Sequence, residues 1–173
     1  GARGLLGLWQ LVLGRVGANR VTVVLGHCAT NAPGPPGNFP ADRAGCPVLE
    51  LRDRRGSGFR GDASVRLQAA LDQLLPVPTR YVAVWSSRGE EPLTLWMAVP
   101  PTKDFAALGV VATAGTTANL PPFDAMRCVP KEWVRRAPAP EELWSGAEGS
   151  VWRGAQGLIV ATKPSRSPPA CHQ

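Results

Sequence analysis

Only two histidines, His27 and His172, occur in this chain of 173 residues. His172 falls in the terminal stretch "KPSRSPPACHQ", where a catalytic base cannot be held in register. His27 stands beside Cys28, which invites a Cys-His or metal-pair reading. Neighbours on a strand point to opposite faces, so the two side chains diverge and a structural or exposed His27 is expected. Paired cysteines at metal or redox spacing are also lacking. Cys28, Cys46, Cys128 and Cys171 are too far apart for a zinc ribbon or a CxxC site. Cys28 and Cys128, in apolar strand-like runs, read as buried thiols, whereas Cys46 and Cys171 lie beside prolines. A disulfide is compatible with these positions, but the sequence assigns none and forces no oxidising compartment.

Lysine is scarce, and no run of five or more basic residues appears despite a net charge of +6. The densest groups are Arg52, Arg54 and Arg55 around Asp53, and the pair Arg135–Arg136. Such scatter describes solvated charges first and an anionic membrane surface second; a nucleic-acid partner is not expected. No long apolar run exists either. "GLLGLWQLVLG", residues 4–14, is too short to span a bilayer and reads as a first strand. The Gly-rich "RGSGFRG" lacks the Lys-Ser/Thr of a phosphate loop. Glu90–Glu91 and Glu141–Glu142 sit in a hairpin tip and a connector, which do not supply the cleft of a carboxylate pair. Ser86–Ser87 has no base nearby in sequence. No catalytic, cofactor or metal residue is therefore expected.

What the chain does have is turn residues and tryptophan. With 19 Gly, 18 Pro and six Trp at 44% hydrophobic content, it has enough apolar mass for one core divided among short strands. Residues 1–163 are expected to form a single β-rich domain, with 164–173 as a flexible tail. "DASVRLQAALDQLL", 62–75, is the one convincing helix: Asp62 can cap it and Pro76 stops it. Val65, Leu67, Leu71, Leu74 and Leu75 supply its apolar stripe. From 79 to 134 the pattern is strand throughout, with "YVAVW" and "LTLWMAV" joined by the hairpin loop "SSRGEEP".

Two internal echoes stand out. "VWSSRGEEPLTLW" at 84–96 is matched by "LWSGAEGSVW" at 143–152, and "LGHCATNAPGPP" at 25–36 by "LGVVATAGTTANLPP" at 108–122. Trp85, Trp96, Trp144 and Trp152 then serve as packing at the ends of equivalent sheets, while Trp9 and Trp133 are less constrained.

The run "YVAVWSS", then "LW" with "AVPP", "ALGVVAT" and "PPFDAMRCVPKEWV", resembles the vacuolar protein sorting-associated family of type sixty-two. It also resembles repeats of the type-thirteen bridge-like lipid-transfer proteins. The resemblance covers roughly 21–160 and is densest at 81–134, where Leu108–Gly109 and Arg127–Cys128 fall on its pattern. Lys103-Asp104-Phe105 replaces the family's Gly-Tyr, and the helix at 62–75 is an addition to it. The resemblance implies an all-β, β-prism-like fold of three antiparallel sheets around a pseudo-threefold axis, with no catalytic residues or cofactor. It further implies a non-catalytic interaction module in the cytoplasm, peripheral to membranes. Such a module would bind a protein partner or a membrane-associated assembly through loops 31–45, 86–92 and 114–123. A carbohydrate-binding β-prism lectin and a structural subunit of a large assembly are the rival expectations.

Overall fold

A computed structural model of the chain describes residues 6–9, 20–30, 48–52, 63–154 and 157–164. Twelve short strands and one α-helix follow in the order β1 (Gly7–Trp9), β2 (Arg20–Val24), β3 (Cys28–Thr30), β4 (Val48–Arg52), α1 (Ala63–Leu74), β5 (Arg80–Ser86), β6 (Leu93–Val99), β7 (Phe105–Ala106), β8 (Val110–Ala114), β9 (Val129–Pro130), β10 (Glu141–Ser145), β11 (Ser150–Arg153) and β12 (Ile159–Thr162). They pair as β5-β6-β8, β10-β11-β12, β1-β3, β2-β4 and β7-β9, and every one of these pairings is antiparallel. The fold is all-β with one helix, as proline, glycine and alternating apolar residues lead one to expect.

Alternation places the core. On β6, Leu95 enters a cluster with Trp85, Val110, Leu143, Val151, Ile159, Ala29 and Ala161, against which Leu8 and Ala112 pack. The opposite face of the same sheet carries Ala98 and Val111, covered by Ala125 and Met126. A third cluster joins β2 to the helix through Val21, Val23, Leu71 and Leu75, with Val129 and Leu158. Apolar burial from every sheet, rather than one large face, therefore holds the strands together.

Helix α1 corrects part of the expected stripe. Leu71 and Leu75 are buried, but Leu74 is 49% exposed. Leu71 and Leu75 are four residues apart on one face, linked by the Leu75 amide to the Leu71 carbonyl at 2.7 Å, and Leu74 sits at the margin of that face. Asp62 and the side chains of Val65 and Leu67 lie outside the described residues. Glu141 and Glu142 are another correction. They open β10 rather than sit in a connector, and Glu141 pairs across the sheet with Arg153 at 2.7 Å.

A close backbone approach joins the link between β2 and β3 to the residue that precedes β8. A Cβ added at Gly109 would lie 2.9 Å from the Leu25 carbonyl oxygen and 3.2 Å from the Gly26 Cα. Backbone is not a neighbour that can move aside, so no larger residue fits. Gly109→Ala is expected to destabilise the protein by about 1–3 kcal/mol, read as a lower urea midpoint. Val82→Ala, on an exposed position, is the control. Equal midpoints for Gly109→Ala and the parent protein would contradict the packing.

Candidate functional site

The residues singled out in the sequence organise a repeated structural unit. Strands β3 (with His27 just before it), β8 and β12 carry the quartets His-Cys-Ala-Thr (27–30), Val-Val-Ala-Thr (110–113) and Ile-Val-Ala-Thr (159–162). Each faces a tryptophan in the same register: Trp9 opposite Cys28, Trp96 opposite Val111, and Trp152 opposite Val160. Each alanine faces the aliphatic residue before that tryptophan, giving Leu8–Ala29, Leu95–Ala112 and Val151–Ala161. The small side chain on one strand leaves room for the branched one opposite, and all six lie in or against a single core cluster.

A buried indole needs an acceptor for its N–H. Trp96 Nε1 donates to Thr113 Oγ1 at 2.8 Å, and Trp152 Nε1 donates to Thr162 Oγ1 at 3.3 Å. Thr113 passes its own proton to the Asn119 carbonyl at 2.8 Å, which ties the loop after β8 to the sheet. A second pair of equivalent bonds closes the two hairpins. Ser86 Oγ meets Thr94 Oγ1, and Ser145 Oγ meets Ser150 Oγ, both at 2.9 Å. Thr94 spends its proton on the Gly115 carbonyl at 2.9 Å, so Ser86 must be the donor in its pair. The Ser87 hydroxyl accepts from the Leu93 amide at 2.8 Å. Both serines of the candidate Ser86–Ser87 pair are thus engaged in fixing a hairpin.

Trp85 and Trp144 follow β-bulges at matching places, between Ala83 and Trp85 and between Glu142 and Trp144. The bulges turn their rings toward each other, and they stack with centroids 5.4 Å apart and planes 27° from parallel. A Cβ at residue 149 would run into the Trp85 ring, which explains the glycine there. Trp133 is 48% exposed. The side chain of Trp9 lies outside the described residues.

Arg127 and Cys128 dock the helix. The Arg127 guanidinium bonds Asp72 at 2.7 Å and the Leu75 carbonyl at 3.0 Å, placing a cation at the carbonyl-rich end of α1. The Cys128 amide donates to the Pro76 carbonyl at 2.9 Å. Leu108 packs beside Leu71 and Leu75. Cys128 is a free, buried thiol whose pKa burial pushes up to about 11, so it stays protonated and inert at neutral pH. Cys28 is not the thiol expected from its surroundings. It is disulfide-bonded, while Cys46 and Cys171 lie outside the described residues. Apolar neighbours alone do not separate a buried thiol from a buried half-cystine.

His27 is buried beside β8. Its Nδ1 accepts the Ala112 amide at 3.2 Å and its own amide donates to the Val110 carbonyl, whereas Nε2 has no partner. Accepting at Nδ1 fixes the proton on Nε2. Burial lowers the pKa to about 4, with no charged neighbour contributing. The imidazole is therefore a neutral link between strands. Among the described residues, no group of three or more His, Cys, Asp or Glu is placed to hold a metal ion. Glu90 and Glu91 are exposed at the β5–β6 hairpin tip, and the loop 114–120 meets that tip through the Gly115 amide on the Pro92 carbonyl. Loop 31–45 lies outside the described residues.

Two outcomes follow. Trp96→Phe and Thr113→Val, alone and combined, are expected to show a coupling of about 1 kcal/mol in a double-mutant cycle; additive effects would contradict the bond. For His27, the folded pKa lies below the unfolded value of 6.5, so its contribution is complete above that value and is lost as pH falls through about 4. Urea unfolding from neutral to acid pH should lose on the order of 3 kcal/mol from this group. His27→Gln should flatten that part of the profile, and an unchanged profile would contradict the assignment.

No protein-family model and no curated protein matches the chain. Among solved structures, that of GNIP1Aa from Chromobacterium piscinae is similar over 95% of this chain, with a TM-score of 0.64 and 15% sequence identity. The chain spans 29% of the length of that protein. At this identity the likeness is one of fold: this arrangement of short antiparallel strands exists as a portion of a longer chain.

Proposed function

We propose that the chain is a β-prism, with three antiparallel sheets about a pseudo-threefold axis, serving as a non-catalytic interaction module of the vacuolar-sorting-related kind its sequence resembles. Support for the axis comes from the triple recurrence of one register and from the residues preceding each quartet. Gly26, Gly109 and Leu158 hold equivalent positions and converge, with Leu158 Cδ2 3.6 Å from a Cβ built at Gly109. One leucine fills the space that two glycines leave.

The observation that carries the functional reading is how the reactive groups are spent. The Ser86, Ser87 and Thr94 hydroxyls and the His27 Nδ1 are all committed to hairpin or interstrand bonds. The exposed loops carry recognition chemistry instead: Arg88, Glu90 and Glu91 in 86–92, and Leu120 and Phe123, 66% and 63% exposed, in 114–123. Loops held by a rigid sheet are the usual carriers of binding residues. The partner in this reading is a protein or a membrane-associated assembly. Occurrence of the fold within a longer chain suits a module. The disulfide at Cys28 favours an oxidising compartment over the cytoplasm. Among the described residues no helix is long and apolar enough to cross a membrane.

A photo-crosslinking residue at position 88 or 120 should yield a protein adduct of defined mass in an extract of the source cells. The same residue at Arg153, at the end of the central strand β11, should not. Saturable, salt-insensitive binding on a glycan array would replace this reading with the lectin, and turnover of a substrate lost on a single substitution would replace it with an enzyme.

A further inference from the structure

A feature outside those loops points to a second contact. Residues 131–133 form a short 3-10 turn that ends at Trp133, and Trp133 is 48% exposed. The turn is held on both sides: the Lys131 amide donates to the Asp104 carbonyl at 2.8 Å, and the Val134 amide to the Lys131 carbonyl at 3.0 Å. Pairing of Phe105 with Pro130 brings the 100–104 loop alongside, and Val134 packs inward against the cluster that holds α1. The outward indole is thus fixed by its backbone.

The same segment and the 100–104 loop beside it carry Lys103, Lys131, Arg135 and Arg136, all exposed, none in an ion pair among the described residues. Asp104 and Glu132 are the acidic side chains of the same segments, leaving positive charge in excess. An exposed indole on a segment rich in unpaired cations matches the layered chemistry of an anionic lipid surface. The ring suits the headgroup boundary, and the cations suit the charged layer above it. A folded protein partner would require the cations to be matched one by one, whereas a fluid anionic bilayer adapts to their spacing.

We propose that the 131–136 turn, with Lys103, docks the protein on an anionic lipid bilayer. The test is flotation with vesicles of phosphatidylcholine, alone or mixed with phosphatidylserine, at low and high salt. Binding is expected to the mixed vesicles only and to fall as salt rises. Each cation removed should weaken it roughly fivefold, so Arg135→Gln with Arg136→Gln should weaken it by more than tenfold. Free inorganic phosphate should not compete. Lipids with brominated acyl chains should quench fluorescence of the parent protein but not of Trp133→Phe, with all variants melting at the same temperature. The proposal is overturned by equal binding to both vesicle types, by no binding at low salt, by arginine variants that bind like the parent, or by quenching that persists in Trp133→Phe. Any of these failures leaves the loop-mediated reading standing.

Discussion

An indole taken out of water costs free energy unless its N–H finds an acceptor, and at Trp96 and Trp152, though not at the stacked Trp85, that acceptor ties the ring to strand register. Trp96 and Trp152 each bury a large ring against a sheet and each give the proton to a threonine at the end of the neighbouring strand. The threonine is in reach only if the strands hold one register, because a slip of one residue would turn it to the opposite face. Tryptophan, small alanine and hydroxyl-bearing threonine therefore specify the pairing together. Thr113 extends the effect by bonding Asn119, so the order of the sheet reaches the loop that follows it.

The same economy explains where chemistry is absent from the interior. Among the described residues, serine, threonine and histidine side chains are largely consumed by hairpin closure and strand linkage, and the buried side-chain polar atoms left without a partner are His27 Nε2 and Trp85 Nε1. Exposed charge and large apolar side chains occur in turns at Arg88, Glu90, Glu91, Leu120, Phe123 and Trp133, although Leu74, Val82 and Met97 are exposed on α1, β5 and β6. That division separates a rigid frame from the surfaces available for contact, and it underlies the proposal of a binding module with a separate basic, indole-bearing turn.

Much of the frame was legible from the residues alone. Helix α1 and the β5–β6 hairpin were set by local pattern, proline stops and turn polarity, which need no tertiary information. The pairing of 84–96 with 143–152 was legible because tryptophan is rare enough for its spacing to carry meaning. The Ala29-Thr30 pair is legible as an echo of Ala112-Thr113, but its pairing with the Trp9 strand is not, since β2 and a long stretch separate β1 from β3. Ile159 and Leu158 stand where the other copies have valine or histidine and glycine, which hid the Ala-Thr of β12. Leu74 falls on the periodic stripe but at its margin, which the sequence pattern does not separate from the buried centre at Leu71 and Leu75. The Cys28 disulfide was illegible for another reason: a half-cystine and a buried thiol occupy the same apolar surroundings.

The most direct measurement of the central claim is hydrogen exchange at the indole N–H groups, followed by NMR under native conditions. The account predicts that the Trp96 and Trp152 indole protons exchange as slowly as the core amides of β6 and β11, while that of Trp133 exchanges at once. Exchange of Trp96 or Trp152 at the rate of Trp133 would contradict it.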